Sequence, residues 1–399
     1  MSAETSNVRA GVTYCIKVFL ALRIGLFILG FLAATTFPAR TIVTAPEWPQ
    51  QPVSPGLTNI VTSFERQDAT WYLQIATTGY KPNDGSAAFF PLYPMAIRGV
   101  STAIGGHPLG AAYLVSNGAL LAAIILLYFL TASELSESEA KRTILYLMVF
   151  PAAFFFFAPY TESLFLLCIV TSFWGARRKK WAVAGLVGML AALTRSVGVF
   201  LVPALAIEAL LQWREAKRAG TKDDGTALRT SFPIGALLWS AVPAIGTLLY
   251  LSYWKSQGDW AIPLRLQQYW ERHPEWPWIT LFHAFTVAWH DMTAAVSGYT
   301  LLDLVIAVPM LVAAVVVVKW FRPSYAVFTW LCILAPLCMV FEPRPLMSVP
   351  RFLLPLFPLF WAGARATERH RLPQTLVVGA SAAGLGLMTA LFVNSYYVF

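Results

Sequence analysis

The chain has 399 residues, 57% of them apolar and only 12% charged, and its mean hydropathy is +0.61. Soluble domains carry about a quarter charged residues, so a soluble globular protein is excluded, and apolar runs of about twenty residues without strict alternation exclude a β-barrel. The net charge of +9 does not point to nucleic acid, because most Lys and Arg sit in short loops between apolar runs, where they act as topology signals.

Taken in order, the apolar runs predict an all-α, polytopic membrane protein of about eleven transmembrane helices in one domain, 1–399. The spans fall near 12–34, 108–131, 143–158, 162–176, 181–194, 197–213, 232–254, 299–318, 325–341, 352–366 and 375–397. The first run is too long for the core of a signal peptide, so it is expected to stay as a span. Cations are denser in the loops that share a side with the N-terminus, among them Arg177, Arg178, Lys179 and Lys180. That bias places the N-terminus in the cytoplasm and the C-terminus outside. The long segments 35–107, 255–298 and 342–351 then lie outside, while the inner loops are short and carry no glycine-rich phosphate loop. Chemistry is therefore expected on the outer face.

The first outer loop, 35–107, has its own order. Thr35–Pro55 is rich in Pro and Thr and reads as irregular. Thr58–Thr77 reads as an amphipathic interfacial helix, Gly79–Ser86 as a turn, and Phe89–Ile104 as a second interfacial or re-entrant helix. On the first helix Phe64, Asp68, Trp71, Tyr72 and Ile75 share one face. A carboxylate in an aromatic stripe must pair or have a raised pKa. Either outcome suits a general base, and an interfacial acid paired with Arg66 is the plainer alternative. Glu65 could share the site with Asp68 or be a solvated loop acid.

Arg344 and Arg351 flank the Pro-rich outer loop EPRPLMSVPRF. They either snorkel to lipid headgroups or converge to hold a phosphate by bidentate contacts. Arg195, in LTRSVG, has the same two readings, and Glu162 in PYTESLF reads as a helix cap or a site acid. The second outer loop, 255–298, gathers Asp259, Gln267, Trp270 and Arg272 among further tryptophans, which form an interfacial belt or a sugar-stacking platform. The four cysteines lie in apolar runs without a CxxC pair, and the five histidines show no HxH or HxxxH spacing. A transition-metal site is not expected.

The run FERQDATWYLQIATTGYKPNDGSAAFFPLYP (64–94) resembles the PIG-V (GPI mannosyltransferase II) family and its bacterial relatives. The likeness continues through PYTESLFLL, the basic turn RRKK, AGLVGMLAALTRSVGVFLVPAL, the GD…Q-x-x-W-x-R loop at 258–272 and PRFLLPLFPLFWA. One departure is Gln67, which stands where the family has Trp. The resemblance implies the GT-C class: a multi-helix membrane enzyme, in a bacterial plasma membrane, with its site on the outer face. It further implies a polyprenyl-phosphate sugar donor, mannose in this branch, and an acidic catalytic residue in the first outer loop; a glycan or glycolipid is the expected acceptor, with no acceptor-binding motif in the sequence. Asp68 would be the base, with Arg344, Arg351 and Arg195 on the donor phosphate. Glu65, Tyr72, Glu162, Asp259, Gln267, Trp270 and Arg272 would position substrate. No cofactor is expected, although Asp68 with Glu65 or Glu162 could hold a divalent ion. Membrane lipids are the remaining partner.

Two other classes fit the pattern of spans. A transporter or lipid flippase would use Glu208 and Asp303, acids in or near apolar runs, as coupling residues. A non-catalytic subunit of a glycosyltransferase complex would account for Gln67. Against transport, the two halves show no matching pair of broken helices.

Overall fold

The computed structural model describes residues 3–38, 49, 59–82, 84–219, 231–370, 373–396 and 398. Helices dominate, because in hydrocarbon each backbone N–H and C=O must find its partner within its own segment. The long α1 (Ala3–Thr36) precedes the three helices of the first loop, α2 (Asn59–Thr62), α3 (Asp68–Thr78) and α4 (Leu92–Ala103). Then come α5 (Pro108–Glu134), α6 (Glu137–Val149), α7 (Glu162–Arg177), α8 (Trp181–Thr194), α9 (Leu201–Ala219) and α10 (Ile234–Ser256). The second loop holds α11 (Ile262–Tyr269), β1 (Arg272–Pro274) and α12 (Pro277–Thr293). After α13 (Tyr299–Trp320) and α14 (Pro323–Leu337), β2 (Met339–Phe341) pairs antiparallel with β1, Arg272 opposite Phe341. The chain closes with α15 (Val349–Leu353), α16 (Phe357–Arg369) and α17 (Gln374–Val393).

Among the described residues six helices are long and apolar enough to cross a membrane: α1, α5, α9 with the turn before it, α10, α13 and α17. α8 and α14 are apolar but shorter. The chain is an all-α, multi-pass membrane protein, but the eleven expected spans are not all single helices. The run 143–158 is cut where α6 ends at Val149, because Pro151 cannot continue the hydrogen-bond ladder and Ala153–Phe156 turns as a 3₁₀ helix. The run 352–366 is split between α15 and α16 around Pro355 and Pro358. The last residues of 325–341 leave α14 to form β2. α8 and α9 are separate helices, with Arg195 extended (φ −150°, ψ 145°) at the end of α8.

The first loop differs from expectation in one instructive place. The helix predicted over Thr58–Thr77 is broken between α2 and α3, where Gln67 takes a positive φ of 53°. The break lets neighbouring residues be buried in different directions. Phe64, 1% exposed, packs against α17 through Phe392, 6.3 Å between ring centres. Arg66 turns to donate to the carbonyls of Thr62 (2.9 Å), Glu65 (3.0 Å) and Val393 (3.3 Å). A continuous helix would hold all these side chains on one rigid spiral. The irregular reading of Thr35–Pro55 falls almost wholly outside the described residues.

At one end of the bundle Glu208 of α9, fully buried, gathers four donors: Arg177 (2.8 Å), Arg322 (3.1 Å), Ser324 (2.7 Å) and Gln212 (2.9 Å). Arg177 also pairs with Glu134 at the end of α5. This ties α5, α7, α9 and the start of α14 together. Removing a buried ion partner strands the others, so Glu208→Ala should lower stability by about 3–5 kcal/mol, read as a lowered unfolding midpoint in detergent. An unchanged midpoint would remove the network's structural role. Its acid is thus engaged by two arginines, and Asp303 is likewise engaged by Arg344. Neither is a lone intramembrane charge of the kind a coupling residue would supply.

Candidate functional site

The opposite end of the bundle brings residues from five separated stretches to one cavity of about 270 Å³. Asp68 opens α3 and keeps about a third of its side chain exposed, at 32%. Its Oδ2 accepts from Arg351 Nη1. Arg351 sits on the five-residue α15, which Ser348 starts with a positive φ of 69°. Its Nε donates to Glu162 Oε1 at 2.6 Å. The same oxygen accepts from Arg195 Nη1 at 2.5 Å. The result is a continuous chain of charge, Asp68–Arg351–Glu162–Arg195, drawn from the first loop, α15, α7 and the break after α8.

Aromatic rings hold the two guanidiniums in place. Arg351 lies 4.6 Å from the ring centre of Tyr160 and 5.1 Å from that of Phe155, and Arg195 lies 4.9 Å from that of Phe352. Such contacts keep a cation oriented when water is scarce. Tyr72 is fixed edge-on to Phe89 and Tyr93, each 5.1 Å away, and its hydroxyl lies 3.4 Å from Thr161 Oγ1. Burial pushes the Tyr72 phenol up to about 12, so it remains a neutral hydrogen-bonding group at ordinary pH. Trp270 and Arg272 close the cavity from the second loop. Burial lowers the Arg272 pKa, and the charge of Asp68 works against that shift. No carboxylate pairs with Arg272 among the described residues. Three guanidiniums therefore face two carboxylates, which leaves one positive charge over.

The structure thus places Asp68, Tyr72, Glu162, Arg195, Trp270, Arg272 and Arg351 in or directly behind one cavity, and it separates the remaining candidates. Arg344 does not converge with Arg351. Its guanidinium grips Asp303 through two bonds (2.6 and 2.7 Å), donates to the Val398 carbonyl (2.6 Å) and stacks over Tyr299. The six residues between the two arginines include the turn that starts α15, and the turn points them apart. Glu65 does not share the site with Asp68, since the break at Gln67 turns it away, and burial raises its pKa. Asp259 caps its own turn, accepting from Ala261 N at 2.8 Å and pairing with Arg265. The Ala261 N–H, more than Arg265, holds its pKa low. The backbone of Gln267 is in α11, but its side chain lies outside the described residues. Glu162 opens α7 without capping it and points inward, fully buried.

Sequence reasoning missed Tyr160, Thr161, Phe352 and Ser348. The available signal was position: Tyr160 and Thr161 immediately precede Glu162, and Ser348 and Phe352 flank Arg351. Gln67 lines the cavity with its Nε2 donating to Tyr396 O at 3.1 Å. This bond ties the wall of the cavity to the segment that follows α17. Among the described residues no three His, Cys, Asp or Glu side chains gather as a metal site.

A second cavity, about 410 Å³, adjoins the first and is almost wholly apolar. The two share neighbouring residues on three elements: Tyr72 and Ile75 on α3, Phe90 and Pro91 before α4, Thr194 and Leu193 on α8. Tyr80 and Tyr250 line the apolar one, with Arg98 at its edge.

No curated protein matches the chain in sequence. Among solved structures it is similar to ArnT from Cupriavidus metallidurans bound to undecaprenyl phosphate, at 13% identity over 96% of this chain and 76% of that one, with a TM-score of 0.46. The apo state of the same protein gives 14% identity over 100% and 77%, with a TM-score of 0.44. The oligosaccharyltransferase of Archaeoglobus fulgidus in complex with Zn and sulfate is similar at 10% identity over 95% of this chain, with a TM-score of 0.42, but the chain spans only 53% of its length. Residues 14–217, half of the chain and the part that carries Asp68, Glu162 and Arg195, match the family described as Mannosyltransferase (PIG-V). The chain belongs to the PIG-V mannosyltransferase family, and is a multi-pass membrane glycosyltransferase.

Proposed function

We propose that the protein moves a mannosyl residue from a polyprenyl-phosphate donor to a hydroxyl of a glycan or glycolipid on the outer face of the membrane, with inversion at the anomeric carbon. The observation that carries this reading is the cationic cavity holding Asp68, beside an apolar cavity. A lipid-linked phosphosugar has the same two parts, a charged head and a hydrocarbon tail. The head would sit against Arg195, Arg272 and Arg351, and the tail against Ile75, Tyr80 and Tyr250.

The charges fit each stage of such a reaction. A phosphodiester donor carries one negative charge, which balances the one positive charge left over in the cavity. During transfer the acceptor oxygen attacks the anomeric carbon from the face opposite the phosphate, and the bond from that carbon to the phosphate oxygen breaks. Asp68 takes the acceptor proton as general base. Neutral Asp68 no longer holds Arg351, whose free donors turn to the leaving phosphate as its charge grows. The phosphate departs as a stable anion, so no general acid is required, and no cofactor takes part in the steps as written. Glu162 stays ionised throughout and keeps both arginines anchored.

The test is transfer of labelled mannose from polyprenyl-phosphate mannose by purified protein in vesicles containing glycolipid. Labelled glycolipid with a β-linked product from an α-linked donor, or the reverse, is the expected result. Binding of donor without any transfer would leave the lipid-phosphate site but sink the transferase reading. Failure to bind donor would sink both.

A further inference from the structure

We propose that α12 lies in the plane of the membrane on the cavity side and buries an aromatic stripe in the lipid. Both of its ends are held on that side. At its start Thr280 Oγ1 donates to Leu337 O (2.8 Å), Glu275 N donates to Cys338 O (3.1 Å), and β1 pairs with β2. At its far end the chain turns into α13, where Tyr299 and Asp303 are held by Arg344, three residues beyond β2. A helix of 17 residues anchored at both ends on one side does not cross the bilayer.

Its depth follows from α14. That helix starts beside the Glu208 network at the other end of the bundle, and its 15 residues rise about 22 Å. With that start at the inner boundary, Leu337, and Thr280 bonded to it, fall short of the outer edge of a hydrocarbon layer about 30 Å thick.

The side chains divide α12 into three sides. Trp278, Phe282, Phe285, Trp289 and Met292 follow one another at intervals of four, three, four and three residues, which places them on one face. All five are more than half exposed, from 53% to 70%. Thr280, Ala284 and Ala288 are buried, small enough to bring α12 close to α13 and α14. Thr286, His290 and Thr293 occupy a third, exposed side. α12 packs against α13, a helix long and apolar enough to span, whose Val305 and Val312 are 62% and 60% exposed. A bare aromatic face on a helix packed against a span with a bare apolar side of its own has the bilayer as its occupant. Through β1 the same helix holds Trp270 and Arg272, so lipid contact fixes one wall of the cavity.

The experiment uses the full chain with its four cysteines replaced by Ala, carrying an environment-sensitive dye on a single Cys at 282, 289, 290 or 305. Each is placed in phosphatidylcholine–phosphatidylglycerol vesicles, with its melting midpoint compared with the parent. Nitroxide lipids should place the dyes at 282 and 289 within about 5 Å of the same depth. Iodide in the water should quench the dye at 290 strongly and those at 282, 289 and 305 weakly. A depth difference near 10 Å between 282 and 289, the rise of seven helical residues along the membrane normal, would overturn the in-plane placement. Iodide reaching 282 and 289 as readily as 290 would overturn the lipid contact and leave the stripe to a protein partner.

Discussion

Asp68→Asn should reduce mannosyl transfer by about 10²–10⁴-fold, the usual contribution of a general base, while donor binding and thermal stability change little. The amide keeps the shape of the carboxylate, and its oxygen can still accept from Arg351. What it cannot do is take a proton from the acceptor hydroxyl. Asp68 is suited to this because it is the only member of the charged chain that remains substantially exposed: 32% of its side chain, against none for Glu162 and 7% for Arg351. An acceptor can reach it. Single-turnover transfer by the purified variant, beside a melting curve in detergent, makes the comparison. Equal transfer by wild type and folded variant would remove Asp68 from the chemistry.

Arg351→Lys should lower kcat by about 10²–10³-fold, the range seen when one preorganised donor to a developing anion is lost. It should also weaken donor binding. Lysine preserves the charge, so a purely electrostatic role would survive the change. Its single ammonium cannot reproduce a planar fork that donates to Asp68 from one nitrogen and to Glu162 from another. It also forfeits the close guanidinium contacts with the rings of Tyr160 and Phe155. A variant that keeps wild-type kcat with only a raised KM would assign Arg351 to donor binding alone and remove the proposed exchange from Asp68 to phosphate.

The parts of the site legible in the sequence are those whose chemistry conflicts with their surroundings. Asp68 among aromatics, Arg195 between two apolar runs and Arg351 at the mouth of another are charges that a membrane does not tolerate without a task or a partner. Spacing along a chain does not reveal which partner each one takes. Arg344 and Arg351 look equivalent in EPRPLMSVPRF, yet one is occupied by Asp303 and the other joins Asp68 to Glu162. Glu162 looks like a cap for α7 because it follows Thr161, and only packing shows it buried beneath two arginines. The broken helix at Gln67 was equally hidden, since a periodic stripe cannot report that Phe64 and Arg66 are buried in different directions.

By itself the sequence determined the class of molecule: 57% apolar residues leave only a bundle of helices in lipid, because hydrocarbon supplies no partner for a free backbone group. It also determined the motif that assigns the chain to its family. Tertiary structure alone decided the rest, namely which charges neutralise each other, where the proline breaks fall and which face of α12 is bare. The physical reason is that those outcomes depend on contacts between residues as far apart as Asp68 and Arg351, 283 positions along the chain. Local propensity and periodicity carry no information over that distance.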